Sequence, residues 1–224
     1  MKIDPARYQL PKSTRQSENI EWTTSYIYNR NDLKSPRVLL IGDSICNGYQ
    51  AVLRQKLADK ASITFWASSY CVTDPAYLHL LDNVLDGPAA DLVVFNNGLH
   101  SLTSDPDEWQ EAAILAVKFI LAKLPGTPVV ILNSTPLKNS DPRVEQINAM
   151  TAVTAKECGL DLWDIFSLCD KFDRSLWTDN YHFNLKAIDM QADFLAGKII
   201  PLLPECGTAV KQTSTATGPD GALQ

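Results

Sequence analysis

The chain has 224 residues, 45% of them hydrophobic, and its 20 basic and 26 acidic side chains give a formal net charge of -6. This size and composition suit one domain with a full apolar core. A mildly acidic chain without a Lys/Arg cluster lacks the electrostatic basis for binding nucleic acid or an anionic membrane, so we expect neither as a partner. The sequence leaves open whether the protein forms a homo-oligomer.

The N-terminal stretch, residues 1–36, is polar and is predicted to form an arm. No run of about 20 apolar residues predicts a transmembrane helix, and the first residues lack the apolar region of a signal peptide, so we expect a cytoplasmic location. Five irregularly spaced cysteines and three histidines predict no metal site and no cofactor. Cys46, two residues after Ser44, is either a reactive thiol or a packing residue, and packing is favoured.

Strand and helix patterns alternate from residue 37 onward. Buried strands are predicted over residues 37–42, 62–67, 91–97, 127–133 and 160–165, and helices over residues 49–60, 75–85, 105–124, 142–158 and 184–203. This alternation predicts a three-layer α/β/α sandwich over residues 37–204 with a central, mostly parallel five-stranded sheet. Residues 205–224 are rich in Gly, Ser and Thr and are predicted to form a disordered tail.

The first predicted strand runs directly into Gly42-Asp43-Ser44. Gly42 permits a sharp turn, which would leave Ser44 at the carboxyl end of a central strand, where open α/β sheets bind ligands. Asp and Ser are also common helix N-caps, so an ordinary helix start is the alternative.

A serine nucleophile needs a base within hydrogen-bond reach and a third group that orients the base. Of the three histidines, His79 lies inside a predicted helix, whereas His182 follows Asp179 by three residues, just before another helix. That spacing allows the carboxylate to meet the imidazole. The same stretch suits a helix-capping loop, but its combination with Ser44 favours catalysis.

Two motifs resemble those of the SGNH, or GDSL-type, serine hydrolases. The first block of that family is matched by Gly42-Asp43-Ser44, and its Asp-x-x-His block is matched by Asp179-Asn180-Tyr181-His182. The resemblance spans about residues 37–200 and implies a flavodoxin-like SGNH hydrolase fold. It also implies acyl transfer to Ser44 and then to water, with His182 as the base and Asp179 orienting it.

The two remaining blocks of the family match less well. The third block, Gly-x-Asn-Asp, is replaced by Gly98-Leu99-His100-Ser101, which is similar to a subgroup with His in the Asn position. The second block supplies a Gly N–H, but residues 67–73 contain no Gly. The resemblance thus implies an oxyanion hole built from the Ser44 N–H, a backbone N–H among residues 68–70, for which we take Ser69, and His100. Asn96 and Asn97 are the neighbouring alternatives to His100, which in turn could merely anchor its loop.

The resemblance implies a small-molecule or carbohydrate ester as substrate, and we favour acetyl esters of a carbohydrate. No amphipathic lid is predicted, which argues against a true lipase, and a lysophospholipase or thioesterase is the enzymatic alternative. A non-catalytic relative that binds an acylated sugar or a protein is the alternative of another class. Trp177, close to Asp179, is the tryptophan expected to line the pocket.

Overall fold

The computed structural model describes residues 2–204 of the chain. Its strands are β1 (Thr23–Ile27), β2 (Arg37–Gly42), β3 (Ser62–Ser68), β4 (Leu92–Phe95), β5 (Val129–Leu132) and β6 (Asp161–Trp163). Its α-helices are α1 (Ser44–Lys56), α2 (Tyr77–Leu85), α3 (Pro106–Lys123), α4 (Pro142–Cys158), α5 (Phe166–Cys169) and α6 (Leu185–Ile199).

The strands form one sheet in the order β1-β3-β2-β4-β5-β6. Strands β2 to β6 run parallel, whereas β1 pairs with β3 in the antiparallel direction. The predicted mostly parallel sheet is confirmed. The predicted number of five strands is wrong, because the N-terminal arm adds β1 at the edge. Its sequence, TTSYI, is largely exposed, so it carries no apolar pattern that indicates a strand.

The central strand β2 shows why the sheet is covered on both faces. All of its residues are buried. Val38 and Leu40 belong to the apolar cluster that includes α1 and α6, whereas Leu39 and Ile41 belong to the cluster that includes α2 and α3. Successive side chains of a strand point to opposite faces, so β2 joins both halves of the core. This confirms the predicted three-layer sandwich and fixes the position of the residues that follow β2.

Helix boundaries agree with the predicted ones within a few residues, with two exceptions. α1 begins at Ser44 rather than at residue 49, and the short helix α5 has no counterpart among the predicted elements. Asp43 caps α1, so the Gly-Asp-Ser stretch is both a turn and a helix start.

The N-terminal arm forms a 3₁₀ turn (Pro5–Tyr8) besides β1. The predicted disordered tail lies outside the described residues. No helix within residues 2–204 is long and apolar enough to cross a membrane.

Candidate active site

The turn between β2 and α1 holds Ser44 at the carboxyl edge of the sheet. The buried Asp43 accepts a hydrogen bond from the Ile45 N–H at 2.9 Å, which anchors the first turn of α1. A Cβ at Gly42 would overlap the Cβ of Cys46, so only glycine allows this close approach. Burial raises the pKa of the Cys46 thiol to about 12, which makes Cys46 a packing residue.

A chain of hydrogen bonds leads from Ser44 to Asp179. His182 Nε2 lies 2.8 Å from Ser44 Oγ, and His182 Nδ1 lies 2.8 Å from Asp179 Oδ2. Asp179 Oδ1 accepts hydrogen bonds from the Tyr181 and His182 N–H groups, each at 2.7 Å. Partial desolvation opposes ionisation of Asp179, but the hydrogen bonds from His182 and Tyr181 outweigh it and lower the pKa of the carboxyl to about 2.

The charge on Asp179 decides the proton positions in this chain. An ionised carboxylate only accepts hydrogen bonds, so His182 carries its proton on Nδ1. Nε2 is then free to accept the hydrogen bond from the Ser44 hydroxyl. Ser44, His182 and Asp179 thus lie together in the structure, and a turn of the backbone closes the spacing of three between Asp179 and His182.

A compact aromatic cluster supports the loop that carries Asp179 and His182. Trp177 forms an isolated bridge with Phe183, and their rings lie 4.7 Å apart. The Thr178 N–H donates to the His182 carbonyl at 2.8 Å. Trp177 is buried at 4% exposure, so the expectation that it lines the pocket is wrong. Its large apolar surface instead fixes the loop against the core.

A cavity of about 460 Å³ opens beside Ser44 and His182. Tyr181, Leu99 and His100 form one part of its wall. The other part comes from the N-terminal arm, including Trp22, whereas the other four tryptophans are buried in the core. The tryptophan that lines the cavity is therefore far in sequence from Ser44 and His182.

The loop after β4 places His100 in the cavity wall. His100 Nδ1 lies 2.6 Å from Glu18 Oε1, and the Trp22 ring approaches it edge-on at 6.4 Å between centroids. A Cβ at Gly98 would overlap Ser134 Oγ, so Gly98 serves close packing of the loop on the segment after β5. His100 therefore lines the cavity, whereas Gly98 contributes its lack of a side chain.

The structure does not support Asn97 as an oxyanion donor. Its Oδ1 accepts from the Val72 N–H at 2.9 Å, and its Nδ2 donates to the Tyr70 carbonyl at 3.0 Å. Both functional groups of this buried side chain are engaged in holding the loop after β3. Asn97 is a structural residue, and its position next to Gly98 in the sequence does not reveal this.

The expected backbone donor near Ser69 is also corrected. The Ser69 N–H donates to the Trp22 carbonyl at 3.1 Å, and the Tyr70 N–H donates to Ser68 Oγ at 2.9 Å. The next N–H, that of Cys71, donates to an Asp74 carboxylate oxygen at 2.7 Å. These N–H groups already have acceptors, because the N-terminal arm and local side chains use them.

Arg15 links the arm to the site, and the sequence gives no signal for it. Its side chain is 1% exposed and donates to the carbonyls of His100 at 3.1 Å and Ser69 at 3.0 Å. It also pairs with Asp74 at 2.6 Å and Glu21 at 2.8 Å. Burial opposes the charge, but these two carboxylates outweigh it and raise the pKa of the guanidinium above its ordinary value.

The fold is shared with solved esterases and lipases. An acetyl xylan esterase matches with a TM-score of 0.63 and 17% identity, over 73% of this chain and 100% of that chain. A carbohydrate esterase family 3 protein from Talaromyces cellulolyticus has a TM-score of 0.60 and 16% identity, over 75% and 98%. A lipase/acylhydrolase from Enterococcus faecalis has a TM-score of 0.62 and 12% identity, over 75% and 97%. No protein-family model and no curated protein sequence matches the chain.

Proposed function

We propose that this protein is a serine esterase of the SGNH, or GDSL, type that hydrolyses short-chain acyl esters. One observation carries the proposal: Ser44, His182 and Asp179 form a continuous chain of 2.8 Å hydrogen bonds beside an open cavity. The distance between Ser44 and His182 lies inside the limit of about 3.2 Å that a general base requires. The fold shared with solved esterases supports the same class of reaction.

The mechanism follows from the protonation of this chain. Ser44 Oγ attacks the ester carbonyl while His182 Nε2 takes the hydroxyl proton, and Asp179 stabilises the imidazolium that forms. His182 then gives this proton to the oxygen of the leaving alcohol. The alcohol departs, and the acyl group stays bound to Ser44. A water molecule, activated by His182 in the same way, attacks the acyl group and frees the acid.

The negative oxygen of the tetrahedral intermediate needs hydrogen-bond donors, and the first of them lies at the start of α1. The backbone N–H of Ser44 has no acceptor among residues 2–204 and lies in the first turn of α1, where the helix dipole favours negative charge. The second donor in this proposal is the side chain of His100, which lines the same cavity. Donors that are fixed before reaction stabilise the charge as it develops.

We propose an acetyl ester of a carbohydrate as the substrate. A cavity of about 460 Å³ has room for a large alcohol moiety beside a small acyl group. Its wall combines the aromatic rings of Trp22 and Tyr181 with polar groups of Gln16 and Glu18. A sugar has apolar ring faces and hydroxyl edges, which such a wall can contact together. The solved structures of this fold include an acetyl xylan esterase.

Hydrolysis of p-nitrophenyl esters of increasing acyl length tests the proposal. We expect the acetate ester to be turned over faster than the butyrate and octanoate esters, and Ser44→Ala and His182→Ala to abolish turnover. Acetylated mono- and oligosaccharides then replace the chromogenic esters, with released acetate as the readout. Preference for octanoate would instead favour the lysophospholipase or thioesterase alternative.

Two matched variants control for nonspecific effects of substitution. Ser25→Ala changes an exposed serine of β1, and His79→Ala changes an exposed histidine of α2. Both should retain the activity of the unaltered protein. If the unaltered protein hydrolyses none of the esters, the esterase proposal fails and a binding function without catalysis takes its place. If Ser44→Ala keeps the activity, the proposed mechanism with Ser44 as the nucleophile fails.

A further inference from the structure

The N-terminal arm joins two loops of the candidate site through one buried side chain. Arg15 lines the cavity, and its side chain is only 1% exposed. Its guanidinium group donates from Nε to the His100 carbonyl at 3.1 Å and from Nη2 to the Ser69 carbonyl at 3.0 Å. Ser69 follows β3 and His100 follows β4, so a single planar group connects the backbones of both loops.

The loop after β4 forms the part of the cavity wall that this contact holds. Leu99 and His100 line the same cavity as Ser44. The loop after β3 lies against this loop, because the Asn97 side chain donates to the Tyr70 carbonyl at 3.0 Å. The two loops therefore determine where a bound ester lies relative to the hydroxyl of Ser44.

Two carboxyl groups hold the guanidinium group in its orientation. Nη1 of Arg15 donates to Glu21 at 2.8 Å and to Asp74 at 2.6 Å, which leaves Nε and Nη2 for the two carbonyls. A guanidinium presents five N–H groups in a rigid planar fork, whereas the ammonium of lysine is a compact charge on a flexible stem. Lysine at this position would keep a cation beside the carboxyl groups, but it lacks the fork that spans both carbonyls.

We propose that Arg15 is a positioning residue, which fixes the loops after β3 and β4 so that the cavity wall places the ester carbonyl against Ser44. Both loop contacts use backbone carbonyls, so this role is independent of the part that the His100 side chain takes in the reaction. A misplacement of about 1 Å at a reacting centre can lower the rate about 100-fold. The inference rests on the proposed esterase function and adds a residue of the N-terminal arm to its active site.

Arg15→Lys tests the inference on p-nitrophenyl acetate, at a temperature at which circular dichroism shows a folded variant. It should lower kcat about 10- to 100-fold and change KM less than about threefold, because the ester still binds but is poorly aligned with Ser44. Arg15→Ala gives a second measurement, since it leaves space for a free guanidinium ion. Millimolar guanidinium chloride should restore part of its kcat, whereas sodium chloride at the same concentration should not.

Arg37→Lys is the matched control. Arg37 is also buried and also donates to two backbone carbonyls, those of Tyr28 at 2.8 Å and Asn29 at 2.9 Å. It begins β2, at the end of the strand away from Ser44. Arg37→Lys should lower the thermal unfolding midpoint but keep kcat within about threefold. If it lowers kcat as much as Arg15→Lys does, or if Arg15→Lys itself keeps kcat within about threefold, the positioning role is overturned.

Amide hydrogen exchange, measured by mass spectrometry, gives a readout that does not depend on turnover. The amides of Ser101 and Ser104 donate to carbonyls within the loop after β4, so their exchange reports how firmly this loop is held. We expect Arg15→Lys to accelerate exchange in peptides that cover residues 98–104, and Arg37→Lys to leave it unchanged. Unchanged exchange in Arg15→Lys would overturn the inference and leave the esterase function intact. Absence of turnover by the unaltered protein, together with accelerated exchange in Arg15→Lys, would instead refute the esterase function, while Arg15 would still hold the two loops.

Discussion

Two parts of the chain meet across the cavity, and they are held in different ways. Ser44 begins α1 and His182 lies on the loop before α6, and both are fixed by hydrogen bonds within a few residues, from the Ile45 N–H to Asp43 and from the His182 N–H to Asp179. The opposite wall comes from the N-terminal arm. There Arg15 contacts Ser69 and His100, which lie 54 and 85 positions further along the sequence. Each half of the hydrogen-bond chain is fixed by local contacts, whereas the wall formed by the arm depends on contacts between distant segments.

Among the substitutions that test this difference, Ser44→Ala should have the largest effect on activity. Loss of the nucleophile should reduce kcat by about 10⁴- to 10⁶-fold, and the thermal unfolding midpoint should stay nearly constant because only one oxygen is removed. Ester hydrolysis and calorimetry on the same preparation check both expectations. A large fall in stability would mean that Ser44 also supports the fold, contrary to this division.

Asp179→Asn should have the next largest effect. The amide oxygen can still accept the two backbone hydrogen bonds, but the neutral side chain no longer holds the proton on His182 Nδ1 or stabilises the imidazolium. We expect kcat to fall by about 10³- to 10⁴-fold. A loss of less than about tenfold would show that His182 is oriented by the loop backbone without the carboxylate.

Arg15→Met should show that the arm is held by its buried charges. The substitution leaves the carboxylates of Asp74 and Glu21 without their cation, and breaking a buried ion pair costs about 3–5 kcal/mol. Denaturant unfolding measures this loss. Arg143→Met is the matched control, because Arg143 pairs with Asp141 at an exposed position, where solvent screens the pair and its loss should change the stability little.

Trp22→Ala should affect substrate recognition more than chemistry. If the ring contacts the sugar, KM for an acetylated oligosaccharide should rise by about 10-fold, while KM for p-nitrophenyl acetate should change less. Comparison of the two substrates with one variant measures this. Equal changes for both substrates would indicate that Trp22 acts through its edge contact with His100.

The smallest effect concerns acid stability. The folded-state pKa of Asp179 is lowered to about 2, so its contribution to stability is fully present above the pKa of an unfolded aspartate, near 4, and is lost as the pH falls toward 2. The difference in free energy of unfolding between the unaltered protein and Asp179→Asn should therefore shrink over this range. A difference that stays constant would place the carboxyl at its ordinary pKa.

The sequence predicts the body of the fold well because its signals are local. The apolar run before Gly42 and the caps of the helices lie within single elements, so strand and helix positions agree with the structure. β1 is missed because its side chains are mostly exposed and it is held by backbone pairing with β3. The alternation of strands and helices gives the class of fold but not this edge strand.

The candidate site shows the same contrast between local signals, which the sequence reveals, and long-range contacts, which it does not. The motifs predict that Ser44, Asp179 and His182 lie near one another. Ser44 follows a recognisable strand, and Asp179 and His182 precede a recognisable helix. Ser69 and Asn97 fail as donors because their hydrogen bonds are used by Trp22, Val72 and Tyr70, which no motif indicates. Glu18 and Arg15 act through long-range contacts that a single sequence does not show.

Covalent trapping of the nucleophile tests the central claim most directly. The protein is treated with a fluorophosphonate, digested and analysed by mass spectrometry, with His182→Ala treated in parallel. We predict one phosphonyl adduct, located on Ser44, which forms much more slowly in His182→Ala because the hydroxyl has lost its base. An unmodified Ser44, or an adduct on another residue, would contradict the assignment of Ser44 as the nucleophile.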